Sequence, residues 1–333
     1  MKEYGSFFTS DDSAKNDDAI DTSIDIFNGI EDSTTSAKPI TTNNKKNRYF
    51  YNQLDDSSKM IYDKLYENRE NLKTGTYKID FGNVFQAMLS QSNGEQELKK
   101  QYQSAIEALT YENPEIFYLN ATNMFINIEK TTKLTSVKYN VYIDNGNKVN
   151  YLADGFKGKD DIDAYQVKIE KVRDYIVEKV KDKSDYEKIK LIHDYLRDTI
   201  EYDSTVSKDN IYDIYGALIL RKCVCEGYAK SLQYLMNELG IDNVIVIGTG
   251  TNSSGKTENH AWNYVLLDNN WYAVDVTWDD PILFGDGVLP EKSKYKYFLK
   301  GSNTMNQNHV VSGKFTDGGQ EFTYPTLNSK DYE

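Results

Sequence analysis

Apolar residues recur at three- and four-residue intervals along several stretches of this chain and alternate with polar ones along others. Met60, Ile61, Leu65 and Leu72 predict a helix between Leu54 and Leu72, and Leu98, Tyr102, Ile106 and Leu109 predict a second. Asn113-Pro-Glu stops that helix, and from Phe117 to Ile143 the alternation predicts two or three strands, with Asp144-Asn-Gly-Asn147 as a hairpin turn. Helical spacing returns from Val167 to Val180. Ser184-Asp-Tyr-Glu187 then forms a capping box that opens a helix through Ile189, Ile192, Leu196 and Ile200, on which His193 reads as a packed or surface residue and not a ligand. A further helix carries Ala229, Leu232, Leu235, Met236 and Leu239 and stops at Gly240. Val244 to Ile247 is an apolar run of the buried-strand kind, and Gly248 to Asn259 has the Gly, Ser, Thr and Asn content of a mobile loop.

The last predicted pair, His260–Leu267 and Asn270–Trp278, forms a hairpin. Asp268-Asn269, whose residue types tolerate positive φ, closes it as a two-residue turn, so Leu267 faces Asn270. In that register His260 falls opposite Thr277 and Trp262 opposite Asp275. His260 and Asp275 are then diagonal neighbours on one face, within side-chain reach of each other. A slip of one residue would place them on opposite faces.

Composition divides the chain into three parts. Residues 1–46 are polar apart from a patch at Ile20, Ile24, Ile26, Phe27 and Ile30, and read as a solvated leader or tether, with a propeptide as the second reading. Residues 47–160 read as an accessory α+β region and 161–333 as the catalytic domain. With 333 residues and 39% hydrophobic content the chain can build a sizeable core. A net charge of −13 disfavours nucleic acid and anionic membrane surfaces and leaves protein or peptide substrates, cell-surface proteins among them. No apolar run reaches the length of a membrane span, and the Met1-Lys-Glu-Tyr start lacks a signal-peptide core. The wealth of Tyr, Asn, Asp and Lys has the look of a secreted or surface-associated bacterial protein; the other location open to it is the cytoplasm.

Chemistry concentrates in three islands: Cys223-Val-Cys225-Glu-Gly-Tyr-Ala229, His260-Ala-Trp-Asn263 and Asp275-Val-Thr-Trp-Asp279. A thiol attacks a carbonyl well as thiolate, which requires a base in reach and a partner that fixes the tautomer of that base. Cys225 sits at a helix start, where unpaired backbone N–H groups and the positive end of the helix dipole favour a thiolate and offer a donor to an oxyanion. Gly227 reads as keeping that first turn uncrowded for a substrate backbone. The tryptophans Trp262, Trp271 and Trp278 all lie on the hairpin and read as its wall into the core. Cys223, Cys225, His260 and a carboxylate are zinc ligands by type, but a C-x-C spacing suits a tetrahedral site poorly.

These islands resemble the transglutaminase-like superfamily of papain-fold thiol enzymes, whose pattern runs C-x-G-Y-A, H-A-W and D-x-T-W-D. The resemblance extends over about residues 185–300, through His193-Asp-Tyr-Leu196, Ile200-Glu-Tyr-Asp203 and Tyr295-Lys-Tyr-Phe-Leu299. It departs at Cys223, where the family usually has glycine. It implies Cys225 as nucleophile, His260 as base and Asp275 as the residue orienting it, with Tyr202, Tyr212 or Tyr215 as candidates for a second oxyanion donor. The implied fold is α+β, a papain-like core in which the nucleophile helix packs on an antiparallel sheet. The implied function is cofactor-free, metal-free acyl transfer on protein or peptide amides, either cross-linking or peptidase/amidase action. The alternative is an inactive binding or scaffold module that retains the fold.

Overall fold

The structure is a computed structural model that describes residues 48–206, 209–280 and 291–333. The expected leader, residues 1–46, lies outside the described residues.

The first helix, α1 (Asp56–Glu67), starts where the Asp55 side chain accepts a hydrogen bond from the Ser58 N–H. It buries Ile61, Tyr62 and Leu65 against α2 (Gly94–Glu112). Met60, predicted on the same stripe, is instead exposed, and the predicted helix breaks at Asn68 into a short turn, Arg69–Leu72. Leu98, Tyr102, Ile106 and Leu109 are buried along α2 as their spacing requires. A three-stranded antiparallel sheet follows in the order β1 (Ile79–Gly82), β3 (Ser136–Asp144), β2 (Phe125–Lys133). Its hairpin turn is Leu134-Thr135, since Lys133 pairs with Ser136. Asp144–Asn147 is a turn, with Gly146 at φ 50 and its N–H on the Asp144 carboxylate, but it leads away from β3 and joins no strand pair.

The rest of the chain builds around a helix-on-sheet layer. Helix α3 (Lys159–Val180) extends beyond the predicted span, and α4 (Asp185–Thr199) opens on the predicted capping box of Ser184 and Glu187. β4 (Glu201–Tyr202) runs parallel to β5 (Lys222–Cys223), which delivers the chain to α5 (Cys225–Glu238). That helix ends at Gly240, held at φ 69, a left-handed conformation natural to glycine. It packs on an antiparallel sheet of order β8 (Asn270–Val274), β7 (Thr257–Leu267), β6 (Asn243–Thr251), β9 (His309–Val311). The segment read as a mobile loop is therefore largely strand: β6 pairs with β7 out to Thr251 opposite Thr257. The fold is α+β, and one apolar cluster runs through it from Phe50 to Phe322. Part of the seam is aromatic, with Phe50 edge-on to Phe315 and Phe322. Among the described residues no helix is long and apolar enough to cross a membrane.

One buried carboxyl makes this core sensitive to pH. Burial pushes Glu112 up to about 7, although the Tyr51 and Phe50 N–H groups and the Tyr62 hydroxyl donate to it. The folded state thus holds this proton more tightly than the unfolded chain. The associated stability is full below the ordinary carboxyl range and is lost as pH rises through about 7. Urea midpoints measured from pH 4.5 to 7.5 are expected to carry a falling contribution from this group. Glu112→Gln should remove that part of the slope.

Candidate active site

The hairpin geometry follows from its turn. Asp268 and Asn269 adopt φ 49 and 61, and Leu267 faces Asn270 in the register the turn residues demand. The β7–β8 ladder stops at Asn263 opposite Val274, so the expected pairs His260–Thr277 and Trp262–Asp275 do not form. Instead the chain turns at once after β8. The Asp275 N–H donates to the Tyr297 carbonyl and the Asp279 N–H to the Asp275 carbonyl, which tucks the Asp275 side chain under β7.

His260 and Asp275 meet there. The His260 Nε2 lies 2.7 Å from the Asp275 Oδ2, and the Trp278 N–H donates to Oδ1 at 3.2 Å. Asp275 is fully buried and His260 nearly so. Burial alone would push the imidazole down, but the adjacent Asp275 carboxylate, with a smaller share from Cys225, lifts it to about 10. Burial likewise works against the carboxylate charge, yet His260 and then His309 hold Asp275 well below the usual range. With Nε2 turned to Asp275, Nδ1 is the imidazole nitrogen left for Cys225, which stands close enough to help raise the ring. The ring stacks against Trp262 and Trp278, with centroids 5.8 and 5.2 Å away.

Cys225 is the first residue of α5 and is partly exposed, whereas Cys223 is fully buried. The helix begins without a side-chain cap at Val224. Since the Gly227 N–H turns back to the Val224 carbonyl at 2.9 Å, the N–H groups of Cys225 and Glu226 are the helix-start donors beside the thiol. Burial pushes the Cys223 thiol well up, and Cys225 adds to that. Gly227 has a structural reason different from the one expected. A Cβ there would stand 2.5 Å from the Cys223 Cβ and 2.8 Å from its sulfur, so glycine is what lets α5 close on Cys223. Of the tyrosines considered for an oxyanion, Tyr212 is exposed, Tyr215 packs its ring on Tyr165 at 4.2 Å, and Tyr202 sits opposite Cys223 in the β4–β5 pair.

The structure adds a residue that the sequence did not reveal. His309, on β9, places its Nε2 3.0 Å from the same Asp275 Oδ2. Among the described residues His260, Asp275 and His309 also bring one ligand-type atom each within 4.8 Å of one another. Both imidazole Nε2 atoms, however, face a single carboxylate oxygen at hydrogen-bond distance, and that pairing accounts for the grouping. Behind the site, the fully buried His193 bridges Asp194 and Asp279 at 3.1 Å each, tying α4 to the turn that carries Asp275.

Room for these rings comes from β6. A Cβ on Gly250 would stand 2.6 Å from the Trp278 ring and 3.4 Å from the His260 ring. Gly250→Ala is therefore expected to displace Trp278 and cost about 1–3 kcal/mol. Tryptophan fluorescence and urea unfolding would register both effects, and the Cys225 alkylation rate should fall with them.

A partly exposed thiol at a helix start thus lies near an imidazole that is hydrogen-bonded to a buried carboxylate. Residues 171–276 match the family model of the Transglutaminase-like superfamily. Two curated relatives are similar: Kyphoscoliosis peptidase of Mus musculus, 29% identical over 127 residues (35% of this chain, 18% of that one), and its Homo sapiens counterpart, 29% identical over 149 residues (39% and 22%). The chain thus spans about a fifth of the length of these relatives. Solved structures similar to it include a TGase, 20% identical with a TM-score of 0.32, covering 54% of this chain and 50% of that one. Another is a putative cysteine protease from Cytophaga hutchinsonii, 15% identical with a TM-score of 0.29, covering 48% and 68%.

Proposed function

We propose that this protein is a thiol-dependent acyltransferase or hydrolase acting on protein or peptide amides, with Cys225 as nucleophile, His260 as acid and base, and Asp275 as the residue that orients it. The observation that carries this reading is the hydrogen-bonded pair of His260 and buried Asp275 beside Cys225, the partly exposed first residue of α5. In the first step the Cys225 thiol gives its proton to His260 as its sulfur bonds to the amide carbon, whose carbonyl π pair moves onto oxygen. The oxyanion is met by first-turn N–H groups of α5 as the tetrahedral adduct forms. Its collapse breaks the C–N bond, His260 gives a proton to the departing amine, and a thioester remains. Water or a primary amine then attacks that thioester while His260 takes its proton; the C–S bond breaks, and the proton passes from His260 back to the released Cys225 sulfur. The peptidase name borne by the relatives favours water as the acceptor.

The test is incubation of the protein with glutamine-containing peptides and a labelled primary amine, read by mass spectrometry. Amine incorporation identifies a transferase, and cleavage or deamidation a hydrolase. A panel with no product, together with a Cys225 that alkylates at the rate of a free thiol, would contradict the proposal and leave a scaffold module.

A further inference from the structure

We propose that His309 is a positioning residue of this site: it locks the Asp275 carboxylate so that the carboxylate can hold the His260 ring toward Cys225. The inference rests on the reading of Cys225, His260 and Asp275 given above.

Strand register brings the two histidines together. β6 lies between β7 and β9, with His260 opposite Gly248 on one side and His309 opposite Gly250 on the other. Positions two apart along a strand share a face, so both imidazoles stand on the same side of the sheet. The rings are 5.6 Å apart between centroids, and Trp278 packs against both.

The hydrogen bonds define what His309 contributes. An ionised carboxylate only accepts, and its oxygens offer about four lone-pair sites. Asp275 fills them from three directions: Trp278 N–H on Oδ1, and the Nε2 atoms of His260 and His309 on Oδ2. Each imidazole must present an N–H at Nε2 to make its bond, and for His260 that choice leaves Nδ1 free to take the thiol proton. His309 is itself held in place. Its Nδ1 faces the Asn308 side-chain oxygen at 2.8 Å, and the Asn308 amide donates to the Tyr297 hydroxyl at 2.7 Å. Tyr297 in turn accepts the Asp275 N–H through its carbonyl and donates its own N–H to Asp279. Without His309, the carboxylate would be held by the Trp278 N–H at Oδ1 and by the ring it is meant to orient at Oδ2, and could pivot about the Oδ1 bond together with that imidazole. With it, the carboxylate is anchored from a separate strand.

The test measures carboxamidomethylation of Cys225 by iodoacetamide, resolved from Cys223 by peptide mass, alongside the far-downfield proton resonance of His260 Nε2–H. His309→Leu should slow Cys225 alkylation about tenfold, the scale seen when an outer partner of a functional group is removed, and shift or broaden that resonance. His309→Gln, whose Nε2–H can occupy the place of the imidazole Nε2–H, should restore most of the rate, whereas the shorter His309→Asn should not. If His309→Leu does not fold, the Gln and Asn variants decide alone: equal rates overturn the proposal. Wild-type rates and an unmoved resonance in all folded variants would overturn it as well, leaving the nucleophile assignment intact. A wild-type Cys225 no faster than a free thiol would instead remove the reading beneath it, and the proposal with it.

Discussion

Cys225→Ala is expected to abolish both turnover and covalent labelling by thiol-directed probes, while Cys223→Ala keeps them. The two thiols are one residue apart, but their surroundings differ in every respect that matters to reactivity. Cys225 is partly exposed, begins α5 and lies close enough to His260 to help raise its imidazole. Cys223 is fully buried in β5 beneath Gly227, and burial pushes its thiol well up, toward the inert neutral form. Removing its sulfur leaves a small void where α5 closes on β5, so Cys223→Ala should cost about 1–3 kcal/mol of stability instead of chemistry. Urea unfolding and active-site labelling of the two variants, measured side by side, separate these effects. Labelling that survives Cys225→Ala and vanishes with Cys223→Ala would reverse the assignment.

Asp275→Asn is expected to lower turnover by about 10⁴-fold, the scale found when a buried triad carboxylate becomes an amide. Every neighbour of this side chain is a donor: Trp278 N–H at Oδ1, His260 and His309 Nε2 at Oδ2. An asparagine must turn its NH₂ toward one of these. Facing Trp278 it sets donor against donor. Facing the imidazoles it makes His260 accept at Nε2 and carry its proton on Nδ1, where it can no longer take one from Cys225. The variant also removes the negative charge that lifts His260 to about 10 against its burial. The imidazolium form is therefore expected to be lost at much lower pH than in the wild type, which a titration of the His260 ring resonances would record. Activity and ring titration unchanged in Asp275→Asn would contradict the role assigned to the carboxylate.

What could be read from the chain was set by local chemistry. The Ser184–Glu187 capping box, the helix that begins at Cys225, and the positive φ tolerated by Asp268 and Asn269 are short-range preferences, and the structure keeps all of them. The β7–β8 register followed from that turn, but the ladder ends before reaching His260 or Asp275, and it is the chain turn after β8 that brings the Asp275 carboxylate to His260. What stayed hidden depends on contacts distant in sequence. His309 lies in a three-residue strand too short to show a period, and its relation to Asp275 exists only because β9 pairs with β6. Gly248-Thr-Gly250 carries the composition of a loop, yet Gly250 is small because the Trp278 ring lies over it. Gly227 likewise lets α5 close on Cys223, a contact between β5 and the helix that its sequence neighbours do not show. Asp144–Asn147 has hairpin residues, but β3 had already found its partners in β2 and β1.

The most direct test of the central claim is acid-quenched mass spectrometry of the protein during reaction with an acylating peptide substrate, followed by peptide mapping. The account predicts a thioester on the peptide bearing Cys225 in the wild type. The adduct should be absent in Cys225→Ala, reduced in His260→Ala and retained in Cys223→Ala. An adduct mapping to Cys223, or turnover that proceeds undiminished in Cys225→Ala, would contradict it.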